Sequence, residues 1–236
     1  TATGLCAGTY TVTVTDHYNG CISDLQVTIA EPTAVNGSIS SNTPITCNGG
    51  TNGAVTVTAS GGTPSYTYNI GNGAQGTGTF NGLTTGNYTV TITDALNCQT
   101  TVPVSITEPP VLVAVVNTIT PSDCNGAVTG SVSVSASGGT PVYSFNIGSG
   151  PQASGSFTGL SADNYTVAIL DNNSCSTTVN FTITEPTPLV GALVSSTTPA
   201  NCNGAATGSA TISASGGTTG YTFNIGSGPQ VSGTFN

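Results

Sequence analysis

Residues 83–94 read Leu-Thr-Thr-Gly-Asn-Tyr-Thr-Val-Thr-Ile-Thr-Asp, which is a turn, a tyrosine and then a strand. The leucine, the turn and the tyrosine return at residues 160–165 and again at residues 5–10. A tyrosine placed this way before the penultimate strand is typical of the tyrosine corner of immunoglobulin-like sandwiches, in which the hydroxyl bonds back to the turn. We therefore expect Tyr88, Tyr165 and Tyr10 to bond to the backbone of the turn before them.

The motif belongs to a longer repeat. A Glu-Pro pair begins at Glu31, Glu108 and Glu185, with spacings of 77 and 77 residues. Ser-Gly-Gly-Thr begins at residues 60, 137 and 215, with spacings of 77 and 78. A fixed period of this size indicates a linear array of like modules. The predicted division is the last two strands of a module in 1–32, complete modules in 33–109 and 110–186, and the first part of a module in 187–236.

Within residues 110–186, apolar and polar residues alternate with the period of a β-strand, and no segment has helical periodicity. Six or seven short strands in about 77 residues are typical of a β-sandwich. The sequence therefore predicts an all-β chain of tandem immunoglobulin-like modules. The expected strands are 112–117, 131–135, 143–147, one around Phe157, 165–169 and 178–183.

The composition excludes several functions. The chain has no Lys or Arg against nine Asp and Glu, with a net charge of −9. It cannot neutralise phosphates, so nucleic acid is excluded as a partner, and anionic membrane surfaces are disfavoured. No apolar run approaches the ~20 residues of a membrane span. No catalytic spacing or metal cluster is present and His17 stands alone in a turn, which predicts a protein that is not an enzyme and needs no cofactor.

An ordered series of motifs carries a family resemblance. Cys-Asn-Gly at 47, 124 and 202 is followed by Ala-Ser-Gly-Gly-Thr, by Gly-Leu-x-x-Gly-x-Tyr-Thr-Val-Thr-Ile-Thr-Asp and by Ile-Thr-Glu-Pro. This series resembles the SprB-type repeat of large surface adhesins that gliding bacteria export by the type IX route. The resemblance implies an extracellular adhesive or filamentous protein, on a bacterial surface or released from it. Family members usually carry a Trp after the Gly-Gly turn, and this chain has none.

Seven cysteines without a Cys-x-x-Cys pair predict disulfides and an oxidising compartment. Cys47 and Cys98 are 51 residues apart, as are Cys124 and Cys175. Bridges within each module, Cys47–Cys98 and Cys124–Cys175, are the favoured pairing and would contribute roughly 4 kcal/mol each. Bridges between neighbouring modules remain open, because the two turns that hold these cysteines belong at opposite ends of a simple sandwich.

The two partial modules complement each other. Residues 9–15 align with 87–93, whereas 187–236 match only the first part of a module. One hypothesis is a head-to-tail filament of copies of this chain, in which the hairpin of one copy completes the partial module of the next. Cys21 or Cys6 would then bridge Cys202 of the neighbour. The other hypothesis is a window on one much longer adhesin.

The remaining polar motifs have simpler interpretations. Asp16, Asp94 and Asp171 recur at one turn, where an Asp commonly caps the turn through backbone bonds. Calcium binding with the Glu-Pro glutamates would need carboxylates to converge, and some 30 Å of strand separates them. Each Glu-Pro pair predicts a short, stiff link.

Glycans enter in two ways. Sequons predict possible N-glycosylation at Asn36, Asn87, Asn164, Asn172 and Asn180. A carbohydrate-binding module is the alternative from another functional class, with surface glycans as its partners. It would need an aromatic platform, and the Tyr and Phe of this chain recur at positions typical of core.

Overall fold

The computed structural model describes residues 1–198 and 200–235, and it divides into two compact units, Thr1–Glu108 and Pro109–Asn236. Every regular element among the described residues is a β-strand. The all-β prediction is therefore confirmed.

The first unit contains a hairpin and a complete sandwich. Strands β1 (Gly8–Thr15) and β2 (Ile22–Ile29) form a two-stranded sheet in which Gly8 pairs with Ile29. The sandwich has a sheet of order β3-β4-β7 and a sheet of order β6-β5-β8-β9. Its strands are β3 (Asn36–Thr43), β4 (Gly53–Ser60), β5 (Thr67–Asn69), β6 (Ala74–Gln75), β7 (Thr79–Leu83), β8 (Gly86–Thr93) and β9 (Gln99–Ile106).

This strand order defines the sandwich. Lettered along the chain as A, B, C, C′, E, F and G, the seven strands form sheets A-B-E and C′-C-F-G. The arrangement is that of a constant-type immunoglobulin domain whose fourth strand pairs with C instead of E. This topology confirms the immunoglobulin-like prediction.

The second unit repeats the pattern. Its complete sandwich has sheets of order β10-β11-β13 and β12-β14-β15, and a Phe145–Gln152 bridge takes the place of C′. A further sheet of order β16-β17-β18 carries strands A, B and E of the next repeat. The strands are β10 (Val113–Thr120), β11 (Gly130–Ser137), β12 (Ser144–Asn146), β13 (Ser156–Leu160), β14 (Asp163–Leu170), β15 (Ser176–Ile183), β16 (Val190–Thr198), β17 (Ser209–Ser215) and β18 (Thr234–Phe235).

Strand F supplies the centre of each core. Val90 and Ile92 of β8 are fully buried, as are Val167 and Ile169 of β14. Thr91 and Ala168, which lie between them, point to the other face, because successive side chains of a strand alternate. The rest of the first core consists of Val35, Ile45, Val55, Val57, Tyr68, Phe80, Leu83, Val102, Val104 and Ile106.

Each sandwich has two distinct ends. At the front end, where the chain enters the module, Gly62 N donates to Thr33 O (2.7 Å) and Ala95 N donates to Thr63 O (3.2 Å). At the rear end, where the chain leaves, Ile45 N donates to Thr107 O (2.9 Å). The eight residues of strand G between the ends span roughly 25 Å at the rise of a strand.

Strand A reaches strand G beside the rear end. Asn42 Nδ2 donates to Ser105 O (3.0 Å), next to the Ile45–Thr107 bond. Both strands run from the front end to the rear end, so they lie side by side in the same direction. In the second unit, Ser122 N donates to Thr184 O (2.9 Å), which is the equivalent of the Ile45–Thr107 bond.

Core truncation tests this account. Ile169→Ala removes a side chain with no exposed surface and should lower the free energy of unfolding by about 2–5 kcal/mol. The matched control, Val128→Ala, truncates a side chain that is 62% exposed and should change it by less than about 0.5 kcal/mol. The unfolding free energies of both variants are measured by urea titration, with hydrogen exchange in peptides from residues 110–186 as the readout. Equal effects of the two variants would contradict the core assignment.

Candidate functional site

A buried carboxylate joins two turns at the front end of each complete module. Asp94 Oδ1 accepts from Leu96 N (2.9 Å) and Cys98 N (2.8 Å), which closes its own hairpin turn. Its Oδ2 accepts from Thr63 N (2.9 Å) in the Gly-Gly-Thr turn between strands B and C. We call this arrangement the front clamp. The turn cap predicted for Asp94 is confirmed, and the bond across to Thr63 is an addition to it.

The second module has the same front clamp. Asp171 Oδ1 accepts from Asn173 N (2.9 Å) and Cys175 N (2.8 Å), and Oδ2 accepts from Thr140 N (2.8 Å). The approach is tight, since a Cβ on Gly139 would lie 2.5 Å from Asp171 Oδ2. Gly139 also has a φ of +54°, so glycine is required there for two reasons.

Backbone donors lower the pKa of both aspartates. For Asp94 the largest cause is the Thr63 N–H, burial opposes it, and the N–H groups of Cys98 and Leu96 lower the pKa further. For Asp171 burial is the largest single influence and raises the pKa, but the N–H groups of Thr140, Cys175 and Asn173 together outweigh it. Both carboxylates are therefore held in the ionised form without any cationic side chain.

A second carboxylate fixes the rear end. Glu108 Oε2 accepts from Gly49 N (2.7 Å) in the Cys-Asn-Gly turn. Glu185 Oε2 accepts from Gly126 N (2.7 Å), and its Oε1 accepts from Asn125 Nδ2 (2.8 Å). We call this the rear clamp. In both complete modules the glutamate of the Glu-Pro pair thus ties the departing chain to the module, which the sequence motif did not reveal.

The tyrosine corners are confirmed. Tyr88 OH donates to Thr84 O (3.0 Å), Tyr165 OH to Ser161 O (3.1 Å) and Tyr10 OH to Cys6 O (2.8 Å). The structure also contains a second set that sequence reasoning missed. In these, a tyrosine after the Gly-Gly-Thr turn donates to the first glycine carbonyl: Tyr66 to Gly61 O, Tyr143 to Gly138 O and Tyr221 to Gly216 O.

The β1–β2 hairpin exposes a face that is buried in the complete modules. Val12, Val14, Leu25 and Val27 are 46, 62, 62 and 38% exposed. Their equivalents in the first module, Val90, Ile92, Val102 and Val104, are 0, 0, 6 and 3% exposed. The hairpin thus resembles strands F and G of a complete module, but the A-B-E sheet against which those strands pack is missing from it.

The partial module has the opposite deficiency. Ile212, Phe223 and Phe235 are only half-buried, although their equivalents Val57, Tyr68 and Phe80 are buried. Two open grooves flank Ile212, one lined by Ala210 and Phe235 and the other by Tyr221 and Phe223. An A-B-E face is present there with an uncovered core side.

The disulfide prediction within modules is wrong. Cys98 and Cys124 are free thiols, whereas Cys47 and Cys175 are disulfide-bonded. The reason is geometric: Cys47 lies in the rear turn and Cys98 in the front turn of one module. The length of strand G separates them, roughly 25 Å, and a disulfide needs Cα atoms within about 7 Å. The same separation excludes Cys124–Cys175.

The same distance criterion distinguishes the two predicted inter-subunit pairs, Cys21–Cys202 and Cys6–Cys202. Cys21 is equivalent to Cys98, a front-end position, and Cys202 is equivalent to Cys47, a rear-end position. A hairpin that completed the partial module would therefore hold Cys21 and Cys202 at opposite ends, and this distance argues against that pair. Cys6 is equivalent to Thr84 at the rear end and is not excluded by distance. All three thiols are free and exposed.

The other candidate residues do not form a reactive site. His17 lies in the exposed β1–β2 turn with its ring 6.3 Å from that of Tyr18. The sequon residues Asn36, Asn87, Asn164, Asn172 and Asn180 are all exposed. The Asp and Glu clamps lie at opposite ends of a module, and the described residues contain no cluster able to hold a metal ion. No helix in that same part of the chain could cross a membrane.

Strand order and core define the class: a tandem array of immunoglobulin-like sandwiches. The SprB repeat family model matches residues 39–75, 116–151 and 194–229. Each match runs from strand A past strand C and includes the Cys-Asn-Gly and Gly-Gly-Thr turns. Three segments of the chain thus match the SprB repeat, which confirms the resemblance that its motifs indicated.

Several solved structures are similar at low identity. The three N-terminal domains of the bacteriophage RB49 outer capsid protein Hoc are 15% identical over 80% of this chain and 70% of that one, with a TM-score of 0.37. A C-terminal fragment of intimin, in complex with the intimin-binding domain of its translocated receptor, is 17% identical over 69% of this chain and 67% of that one, with a TM-score of 0.32. Domains 1–6 of the surface layer protein SbsC are 12% identical over 87% of this chain and 38% of that one, with a TM-score of 0.33. No curated protein matches the chain.

The front clamp makes a prediction about pH. A lowered folded-state pKa means that the unfolded chain takes up the proton first, so the contribution of Asp94 to stability is complete above the ordinary value of 3.8 and is lost as pH falls below it. Asp94→Asn presents an amide N–H to backbone donors and should lower the melting temperature at pH 7. It should also flatten the decline between about pH 4 and 2. Differential scanning calorimetry across pH measures this.

The matched control is Asp123→Asn, which changes an exposed aspartate of the second unit. It should leave the pH profile close to that of the parent chain. If both variants flatten the profile equally, the pH dependence reflects overall charge and the clamp interpretation is overturned.

Proposed function

We propose that this protein is a structural component of an extracellular bacterial surface filament or adhesin stalk. In this proposal copies join head to tail when the β1–β2 hairpin of one completes the partial module of the next. The observation that carries the proposal is the matched exposure described above. A four-residue apolar face is uncovered on the hairpin, and the residues equivalent to it are buried in a complete module.

The backbone of the partial module offers the pairing partner. In the complete modules strand C pairs with strand F, with Tyr68 opposite Ile92 and Phe145 opposite Ile169. The same register would place Phe223 opposite Val14. The donated strands would run antiparallel beside residues 222–224 and extend the existing sheet, which is the mode of strand addition at an open edge.

Both clamps would also be completed. The hairpin carries Asp16, whose Oδ1 already accepts from Tyr18 N (2.9 Å) as the front clamp requires. Its other oxygen would accept from Thr218 N, the equivalent of Thr63. Glu31 would accept from Gly204 N at the rear end, as Glu108 does from Gly49. Two ionic acceptors and two backbone donors on separate copies thus match in position.

The magnitude of burial supports association. Complete burial of one fully exposed Val or Leu side chain contributes about 1.5–3 kcal/mol, and the four hairpin residues are only 38–62% exposed, so their burial would contribute roughly 3–6 kcal/mol. Ordering two chains costs about 4–15 kcal/mol. The ladder bonds and clamps therefore decide how tight the joint is, and a partial hydrophobic match would not suffice.

The proposal places the protein at the cell surface. Its match to the SprB repeat, a repeat of cell-surface proteins, supports this location, and the disulfide-bonded Cys47 and Cys175 fit an oxidising compartment. We include N-glycosylation of the exposed sequons and contact with surface glycans in the proposal as features to be measured. The proposed role is mechanical, with no reaction and no cofactor.

A charge on the hairpin face tests the joint. Val14→Asp would bury an unpaired carboxylate between the sheets and should weaken association about 100-fold or more. Thr11→Asp adds the same charge at the position equivalent to exposed Thr89 and should leave association nearly unchanged. Sedimentation velocity and electron microscopy of the purified chain, under reducing conditions, measure both variants.

Long fibres from the parent and Thr11→Asp chains, but not from Val14→Asp, are the expected result. A parent chain that stays monomeric and folded would contradict the filament. It would favour the second hypothesis, a stretch of one longer adhesin in which flanking sequence supplies the missing strands. Equal loss of assembly in both variants would mean that charge, and not the apolar face, controls association.

A further inference from the structure

The rear turn of each repeat contains an Asn-Gly pair, a dipeptide prone to spontaneous deamidation because glycine has no side chain to hinder the attack. In this reaction the glycine nitrogen attacks the side-chain Cγ of the asparagine, ammonia leaves and a succinimide ring forms. Water then opens the ring and gives aspartate or isoaspartate. The glycine N–H must lose its proton when the nitrogen attacks, so the group that binds this N–H controls the rate.

The rear clamp binds that N–H in both complete modules. In the second module Gly126 N donates to Glu185 Oε2 (2.7 Å). The side-chain amide of Asn125 donates to Glu185 Oε1 (2.8 Å) and to Pro186 O (3.2 Å). A carboxylate is too weak a base to take the proton of a peptide N–H, and its negative charge opposes the anion that would form on the nitrogen. The clamp therefore fixes both reacting groups and slows ring closure.

The partial module has the same turn without the clamp. Residues 202–205 and 124–127 both read Cys-Asn-Gly-Ala. Each turn closes by a hydrogen bond from the alanine N to the cysteine O, of 3.0 and 3.1 Å, and the glycine φ values are +82° and +74°. Residues 187–236 contain no Asp or Glu, and within the part of the chain that the structure describes Gly204 N has no acceptor. The two turns thus differ in the clamp alone.

We infer that Asn203 is a modification site, which deamidates while its repeat is open and is protected when a carboxylate binds Gly204 N. The protection rests on the proposed function, in which Glu31 of the next copy supplies that carboxylate. Deamidation replaces an amide donor with a carboxylate, at the position where Asn125 donates to Glu185. The new carboxylate would face Glu31, and like charges repel.

The modification limits the lifetime of an open end. A copy that is joined early keeps its amide, and its rear clamp is completed by the hairpin of the next copy. A copy that stays open acquires a negative charge in the turn, and isoaspartate also adds one carbon to the backbone there. Such an end no longer matches the glutamate of an incoming copy. The reaction consumes water, releases ammonia and needs no enzyme.

Peptide mapping of the dilute, reduced chain compares the two turns. The chain has no Lys or Arg for trypsin, so pepsin generates the peptides, and mass spectrometry separates asparagine from aspartate and isoaspartate. In the folded chain Asn203 should deamidate faster than Asn125 by about tenfold or more, the effect of losing one hydrogen bond to a charged group. The rates in urea give the reference for each site. Equal rates in the folded chain would overturn the inference.

Removal of the clamp glutamate should abolish the protection. Glu185→Ala frees Gly126 N and should speed deamidation of Asn125 by about tenfold or more. Asp123→Ala, the matched control, removes an exposed carboxylate close to Asn125 in sequence but outside the clamp, and should leave the rate unchanged. Hydrogen exchange in the core strands verifies that both variants are folded. A rate that stays low in folded Glu185→Ala would overturn the protective role of the clamp.

A variant that carries the product charge tests the effect on assembly. Asn203→Asp should weaken fibre formation by about tenfold or more. Asn201→Asp, the matched control, adds the same charge at the position of Asp123, which a complete module accommodates beside an intact clamp. It should assemble like the parent chain in sedimentation velocity and electron microscopy. An Asn203→Asp chain that assembles like the parent would overturn the closing of the open end.

The outcomes separate this inference from the proposed function. Fibres from the parent chain together with equal rates at Asn203 and Asn125 would overturn the inference and keep strand complementation. Absence of fibres together with fast deamidation of Asn203 would overturn strand complementation and keep the modification site. Inside fibres Asn203 should react as slowly as Asn125, and fast deamidation there would overturn the protection by Glu31.

Discussion

Two carboxylates per module, each held by backbone N–H groups, organise the rest of this structure. The chain has no cationic side chain, so an aspartate taken out of water must be neutralised by peptide dipoles alone. Asp94 meets this constraint by accepting from two separate turns, which ties the B–C connection to the F–G hairpin and thus one sheet to the other. Glu108 repeats the device where the chain leaves the module.

The clamps also explain why the modules repeat so regularly. Each carboxylate needs a donor in a turn that is far away in sequence but adjacent in space, and the turn must contain glycine. A module can change its strand residues while alternation is kept, but it cannot lose a clamp residue without leaving the other partner unsatisfied. The motifs that recur most closely, Gly-Gly-Thr, Cys-Asn-Gly and Glu-Pro, are those that build the two clamps.

Local sequence patterns predicted the strands, but they did not predict the hydrogen bonds between residues far apart in the chain. Alternation around Val132 and Val134 located β11, and the leucine-turn-tyrosine motif predicted the corner at Tyr88. The cap at Asp94 was also local, but its bond to Thr63 spans 31 residues and has no sequence signal. The second corner at Tyr66 had a signal, the tyrosine that follows each Gly-Gly-Thr turn, and it was missed because that residue was assigned only to the strand.

The cysteines show how spacing misleads. Equal separations of 51 residues suggested a bridge within each module, yet an odd number of strand crossings puts the two turns at opposite ends of the sandwich. Sequence separation measures chain length, whereas pairing depends on which end a turn occupies. The topology alone, without coordinates, was enough to exclude the favoured pairs.

The side-by-side placement of strands A and G has a consequence for load. The chain enters each module through strand A and leaves it through strand G, and the two run in the same direction with bonds from Asn42 and Ile45 near the rear end. A tension applied along the array pulls these strands past each other in shear, so their hydrogen bonds are stressed together and not one after another. The module is thereby suited to resist stretching.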